Sequence, residues 1–243
     1  MEVLIGLTVG LISGLLGIGG GVILVPVLSL LSYPILQAVS ISIFTMVFTS
    51  IYGSILNFKE EKKYLKDGII IGVGGFLGGT QSHIIQDLLG QENLWYLFIT
   101  VVVFAMLKIM FEPPLGDRKD HSSPHYMILF PLGFIIGMFG LAIGIGGSVI
   151  LVPILISFLK YDLKHSTAIG LLFVLFASIG AFIYQIINDN IYLYESLMVT
   201  IPGLLGIYIG TKFKSKIQTE TMKKLLLLLN IGILIIVICE VMK

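Results

Sequence analysis

Charge is scarce in this sequence. Only 12% of its 243 residues are Asp, Glu, Lys or Arg, about half the share usual in soluble domains. No charged side chain occurs between Val3 and Phe58, nor between Tyr126 and Leu159. With 56% hydrophobic residues and a mean hydropathy of +1.03, this excludes an ordinary water-soluble domain and implies a polytopic membrane protein. A net charge of +1 argues against nucleic acid as a partner. The single cysteine, Cys239, excludes an intramolecular disulfide and a cysteine-built metal site, and leaves the redox compartment open. Acidic residues are missing from the middle of the apolar runs: Asp67, Asp87, Asp162, Glu195 and Glu240 all fall near run ends. A buried carboxylate proton relay is therefore not expected. The start, Met1-Glu2-Val3-Leu4, lacks a basic region followed by a small-residue cleavage site, and reads as mature sequence.

Apolar runs occupy residues 3–32, 36–57, 67–86, 93–111, 126–159, 163–187, 193–211 and 222–241. The first and fifth hold about 30 and 34 residues, whereas about 20 suffice to cross a bilayer. Each could be one bent span or a hairpin that enters and leaves on the same face. Loop cations discriminate, because Lys and Arg in short loops collect on the cytoplasmic side. If both long runs cross once, Lys59, Lys62, Lys63, Lys66, Lys108, Arg118, Lys119 and Lys243 face Lys160, Lys164, Lys212, Lys214, Lys216, Lys223 and Lys224, a split of 8 to 7. If both are hairpins, every cation except Lys243 lies on one side, 14 to 1. The hairpin arrangement accounts for the charges. It gives six full spans and two hairpins, with both termini outside and the halves inverted.

The long runs share a motif. Gly17-Ile18-Gly19-Gly20-Gly21-Val22-Ile23-Leu24-Val25-Pro26 returns 127 residues later as Gly144-Ile145-Gly146-Gly147-Ser148-Val149-Ile150-Leu151-Val152-Pro153. At the same offset Gly10 matches Gly137, Ser40 matches Thr167 and Gly53 matches Gly180; after a one-residue slip, Gly75 and Gly78 match Gly203 and Gly206. The expected organisation is a first transmembrane repeat over 1–111, a polar linker over 112–125 rich in turn residues, and a second repeat over 126–243. The fold class expected is all-α, with two inverted repeats, each a glycine-broken re-entrant helical hairpin plus three transmembrane helices.

The paired GIGGG-VILVP and GIGGS-VILVP segments, in a chain of this length and hydropathy, resemble the sulfite exporter TauE/SafE family. The resemblance covers both halves. It implies a multi-pass transporter of small sulfur-containing anions, such as sulfite, thiosulfate or organosulfonates, in a prokaryotic plasma membrane, without specifying the anion. Two departures from internal symmetry suggest unequal halves: Ser148 stands opposite Gly21, and Ser40-Ile41-Ser42 is not cleanly repeated around Ser166-Thr167-Ala168.

With no charge in either long run, an anion at mid-membrane must be held by dipoles and hydroxyls. A helix N-terminus supplies N–H groups without intrahelical partners and about half a positive charge. Glycines let backbone approach an oxyanion closely, and successive N–H groups form an anion nest. Gly17, Gly19, Gly20 and Gly21, with Gly144, Gly146, Gly147 and Ser148, are therefore the candidate substrate-binding residues. Ser40 and Thr167 are the aligned hydroxyl pair that would join them. Pro26 and Pro153 are expected in the early turns of the half-helices that follow, where a missing N–H costs little. Ser42, Thr45, Thr49, Ser50 and Ser178 are further hydroxyl candidates, although such groups in membrane helices often bond their own preceding carbonyls. Asn57, Gln81 and Gln185 could line a polar path or join helix contacts. Gly6, Gly10 and Gly14, like Gly75 with Gly79 and Gly206 with Gly210, have the four-residue spacing of close helix packing.

Other chemistry is poorly supported. No strand, helix and acidic ribose partner surround the glycines, so nucleotide binding is not expected. Ser148 with His83 or His165 is conceivable as a hydrolytic pair, but the spacing forms no nucleophile elbow and Ser148 is matched by glycine. The expectation is a transporter and not an enzyme, with no catalytic residue, cofactor or metal. The alternatives are an anion channel or an uptake permease for another small anion. The partners expected are the anionic substrate and the lipid bilayer, and a monomer with its own pathway suffices.

Overall fold

Glycine decides where each long run breaks. In the computed structural model, which describes residues 1–58, 65–111, 126–214 and 217–242, helix α1 (Glu2–Leu16) ends at Gly17 in the left-handed conformation, its N–H bonded to Ser13 O. Gly19 and Gly20 also have positive φ, 77° and 72°, and α2 (Gly21–Leu30) starts immediately afterwards. The second run repeats this: α6 (Tyr126–Ala142) gives way to Gly144, Gly146 and Gly147 at φ 68°, 82° and 76°, then to α7 (Ser148–Ser157). Any other residue would be strained by about 1–2 kcal/mol at each such position.

The remaining helices are α3 (Ile35–Phe58), α4 (Leu65–Thr80), α5 (Ser82–Phe111), α8 (Leu163–Ile187), α9 (Leu193–Lys214) and α10 (Thr219–Val241). Among the described residues there is no strand. The protein is all-helical, and five helices, α3, α5, α8, α9 and α10, are long and apolar enough to cross a membrane. The sixth expected span is divided differently from the sequence reading. Helix α4 stops at Thr80 after 16 residues, and the apolar stretch that follows belongs to α5, which kinks at Gly90 (φ 71°, ψ 169°). The expected linker over 112–125 lies outside the described residues.

Each broken run returns to the end at which it began. Tyr33, just after α2, donates its phenol proton to Glu2 at the start of α1, 2.9 Å away. At the opposite end of the molecule, Tyr161, just after α7, donates to Asp67 Oδ2 at 2.7 Å. There the ammonium of the adjacent Lys66 sits 4.6 Å from the ring centre of Tyr126, where α6 starts. Described lysines gather at this second end: Lys108 lies 4.4 Å over the Phe158 ring and shares an apolar pocket with Lys223, and Lys212 caps Tyr208.

The two halves interlock. Helix α1 packs along α9 and α6 along α4, each through small residues that bring backbones into contact. A Cβ on Gly10 would meet Gly203 O at 2.1 Å, and one on Gly137 would meet Gly75 O at 2.6 Å. These glycines are the pairs that the 127- and 128-residue offsets match. At their centre α3 runs antiparallel to its counterpart α8: Phe44 stacks edge-on with Phe182, centroids 5.5 Å apart, while Gly53 abuts Leu171. Helix α3 instead runs parallel to α9, with Thr200 Oγ1 donating to Thr45 Oγ1 at 3.0 Å and Gly53 against Ile207.

Candidate functional site

The two glycine motifs meet in the middle of this bundle. All five residues of each, Gly17 to Gly21 and Gly144 to Ser148, are buried. A Cβ on Gly21 would lie 2.2 Å from Gly144 O, so the strands of backbone touch. One hydroxyl ties them together, and a second ties the second motif to α3. Ser148 Oγ donates to Ile18 O at 2.6 Å and Ser42 Oγ donates to Gly144 O at 2.8 Å. Around them, Gly17 rests on Thr167, Gly19 on Val174, Gly20 on Val9, Gly146 on Met46 and Gly147 on Phe173 and Ile136. The Gly20–Val9 and Gly147–Ile136 contacts are again related by the 127-residue offset.

Each motif ends as the left-handed N-cap of a ten-residue half-helix: Gly20 caps α2 and Gly147 caps α7. Among the described residues, no acceptor stands in hydrogen-bonding geometry to the N–H of Gly20, Val22, Gly147 or Val149. These are symmetric positions, and Val22 and Val149 are 0% and 4% exposed. The first turns of both half-helices thus carry buried donors without a protein partner, at the positive ends of their dipoles.

Pro26 and Pro153 are not in those first turns. Each is the sixth residue of its half-helix, inside it, where the ring withholds the N–H that would pair with the carbonyl four residues earlier, Val22 or Val149. The expected early-turn position puts them sooner in the half-helix than the structure does, because the left-handed caps Gly20 and Gly147 start the helices at Gly21 and Ser148.

The hydroxyl candidates separate. Ser40 Oγ donates to Asn190 O at 2.6 Å, and Thr167 is fully buried against Gly17. Thr49, Ser50 and Ser178 bond carbonyls of their own helices, to Thr45 O at 2.7 Å, to Met46 O, and to Leu175 O at 3.2 Å. The structure brings Ser42, unmatched in the repeat, onto the second motif. Gln81 is exposed at the break between α4 and α5, and the side chain of Asn57 lies outside the described residues.

A polar cavity of about 170 Å³ lies between the Glu2–Tyr33 end and the second motif. Ser40, Gln86 and Gln185 line it, as does Val39, whose Cα would be 3.1 Å from a Cβ on Gly144. Gln86 Nε2 donates to Ala142 O at 2.9 Å, just before the motif. Gln86 was not singled out in the sequence, since its place at a run end makes it look like a surface residue. At the lysine-rich end are narrow apolar pockets, one of them lined by Ile18 and Asn230.

The histidines are not paired with Ser148. His83 stacks on Tyr184 with centroids 4.0 Å apart, and His165 Nδ1 bonds Asp162, which also caps α8 through His165 N at 2.9 Å. Among the described residues no three His, Cys, Asp or Glu side chains cluster as a metal site would require.

A family model described as Sulfite exporter TauE/SafE matches residues 3–237. A probable membrane transporter protein of Methanocaldococcus jannaschii is 28% identical over 234 residues, covering 92% of this chain and 86% of its own. One from Bacillus subtilis is 27% identical over 233 residues, 93% of this chain and 94% of its own. A second from Bacillus subtilis is 24% identical over 246 residues, with coverage of 90% and 89%. No solved structure matches the chain at a significant level.

Proposed function

The chain belongs to the sulfite exporter TauE/SafE family of membrane transporters, and from that premise we propose that it exports a small sulfur-containing anion, sulfite, thiosulfate or an organosulfonate, held by the two half-helix N-termini. The observation that carries this reading is the set of buried, unaccepted N–H groups at Gly20, Val22, Gly147 and Val149. Left empty in a low-dielectric centre, each would cost about 1–3 kcal/mol. An oxyanion would satisfy several at once without a buried lysine or arginine, and weak, uncharged binding permits release.

The antiparallel α3 and α8, the exchanged packing of α1 on α9 and α6 on α4, and hairpin mouths at opposite ends support two inverted repeats. Described lysines at the Tyr161 end support that end as cytoplasmic, with both termini outside. Close contact between Gly21 and Gly144 supports an alternating carrier over an open channel. The membrane potential favours outward movement of an anion by about 2.3 kcal/mol per charge per 100 mV, and no mid-span carboxylate is needed to drive it. Potential-sensitive flux that ignores the proton gradient is the expected behaviour.

The test is thermal stabilisation of purified protein by sulfite, thiosulfate, sulfate, methanesulfonate, chloride and acetate, with Gly20→Ala and Gly147→Ala alongside. A ligand at a hundred times its Kd adds about 2.7 kcal/mol. Stabilisation by one sulfur oxyanion, lost in both folded variants, is expected. Equal stabilisation by every anion, untouched by the variants, would refute binding at the motifs.

A further inference from the structure

Among the described residues Lys214 is the one buried charged side chain, 7% exposed. In a membrane protein an ionisable group taken out of water marks a functional path by default. The helix register fixes where it lies. Along α9, a Cβ on Gly206 would meet Leu7 O and Leu11 N, and one on Gly210 would meet Leu11 O and Leu15 N. Lys214 is the next step on that buried stripe, beside the last turn of α1, where the first motif begins. The other half has the same stripe at the 128-residue offset. There Gly78 faces Phe134 O and Met138 N, and two steps further Gln86 bonds Ala142 O at 2.9 Å, at the end of α6. Lys214 is therefore the repeat equivalent of Gln86, which lines the polar cavity. Two more lining residues, Val39 and Ala181, are matched at the 127-residue offset by Ser166 and Ser54. Both serines are buried, and neither hydroxyl oxygen has a partner among the described residues. With next to no accessible surface, these oxygens belong to a seam that is shut. Gly53, next to Ser54, abuts Leu171 of α8 and Ile207 of α9, so the helices that carry Ser54, Ser166 and Lys214 already touch.

We propose that Ser54, Ser166 and Lys214 outline the closed counterpart of the polar cavity, an anion vestibule between the first motif and the lysine-rich end, and that Lys214 makes it the tighter of the two for small oxyanions. The inference rests on the anion-transport reading above. Inverted halves exchange the open side by rocking around a fixed central site. Opening at the lysine-rich end wets the two stranded hydroxyls, which are costly while buried, and presents the Lys214 ammonium to the anion. Opening at the other end presents the neutral amide of Gln86 at the equivalent place. The ammonium adds a Coulomb attraction that the amide lacks. The anion is thus captured tightly on the lysine-rich side and held weakly on the other, as export requires.

Flux of sulfite, thiosulfate and methanesulfonate by the intact protein, in right-side-out and in inverted membrane vesicles, tests the asymmetry. For the anion carried, the half-saturating concentration should be about tenfold or more lower at the lysine-rich face. Lys214→Gln copies the other half and keeps a donor for the end of α1. It should erase the difference by weakening the lysine-rich side alone, and Lys214→Arg should preserve it. Gln86→Lys is a second variant, expected to tighten the opposite side by about tenfold. A lysine that only caps α1 would give no sided effect. Equal half-saturation at both faces of the unmodified protein, or unchanged sidedness in Lys214→Gln and Gln86→Lys, would overturn the assignment. Independently of flux, Ser54→Cys and Ser166→Cys in a Cys239→Ser background should react with a small impermeant thiol reagent from the lysine-rich face only. Reaction from the other face alone, or from neither, would overturn the vestibule. The transport reading fails separately, if none of the three anions is carried in either direction while both cysteines still react from the lysine-rich face.

Discussion

Tyr33 and Glu2 are joined by a 2.9 Å hydrogen bond across a hairpin of about thirty residues. Nothing else described so directly fixes the first broken run as a segment that turns back, because the two residues flank it on either side. The bond also perturbs the phenol. Hydrogen bonding to Glu2, burial and the charges of Glu2 and Glu195 raise the Tyr33 pKa from 10.0 to about 12.

That shift has a defined sign. A group whose folded pKa lies above its unfolded value contributes stability below the unfolded pKa, and the contribution disappears as pH rises through the folded one. The Tyr33 contribution is present below about pH 10 and is lost towards pH 12. Thermal unfolding of the protein and of Tyr33→Phe should therefore differ at pH 8, by about 1 kcal/mol for one hydrogen bond, and converge on the alkaline side. A constant difference across that window would show that the phenol acts by packing alone.

Glycines of opposite surroundings make a paired prediction. At Gly21 an added methyl meets Gly144 O at 2.2 Å and Met46 Sδ at 2.8 Å, and both belong to the packed centre. Gly21→Ala is expected to cost about 1–3 kcal/mol as the motifs are forced apart. Gly232 lies within α10 with nothing inside 4 Å, so Gly232→Ala should stabilise by about 0.5–1 kcal/mol through helix propensity. Denaturation of the two variants in the same detergent checks both signs.

Much of this architecture was legible in the sequence because membrane insertion leaves few choices. Runs near twenty apolar residues read directly as α3, α8, α9 and α10, and the cation count pointed to hairpins that the Tyr33–Glu2 contact supports. The repeat offset matched Gly10 with Gly137 and Gly75 with Gly203 as equivalents, and the contacts of Gly10 with Gly203 and Gly137 with Gly75 follow that symmetry. Other features follow from spatial neighbours that no spacing reveals. Ser42 reaches Gly144 and Ser148 reaches Ile18 only because α3 and the motifs cross. Gln86 enters the cavity only because α4 stops short at Thr80. The helical register of Pro26 depended on which glycine adopts the left-handed cap, and a run of adjacent glycines leaves that choice open.

The two hydroxyl bonds that anchor the second motif should act as a unit. Ser148→Ala removes a buried donor from Ile18 O and Ser42→Ala removes one from Gly144 O, each worth about 1–3 kcal/mol when the acceptor is stranded. One bond joins the second motif to the first and the other joins it to α3, so both anchor the Gly144–Ser148 segment. Once one is gone that shared segment shifts more easily, so the double variant is expected to lose less than the sum, by about 0.5 kcal/mol or more. Strict additivity in a double-mutant cycle would mean that the motifs are held by the surrounding helices and not by these ties.

The last prediction concerns which way the molecule faces. Ser32 is exposed beside Tyr33, at the end where the first hairpin starts and finishes. Ser157 lines the pocket shared by Lys108 and Lys223, at the end where the described lysines collect. Cations in short loops stay in the cytoplasm, so the Ser157 end should be inside and the Ser32 end outside. In a Cys239→Ser background, Ser32→Cys should react with a membrane-impermeant thiol reagent in intact cells. Ser157→Cys should react only after the membrane is opened. The single-crossing arrangement predicts a different result, because a bent span would carry residue 32 to the face opposite Glu2. Labelling of Ser32→Cys only from the cytoplasm would refute the orientation, and would require the cation distribution and the Tyr33–Glu2 bond to be explained anew.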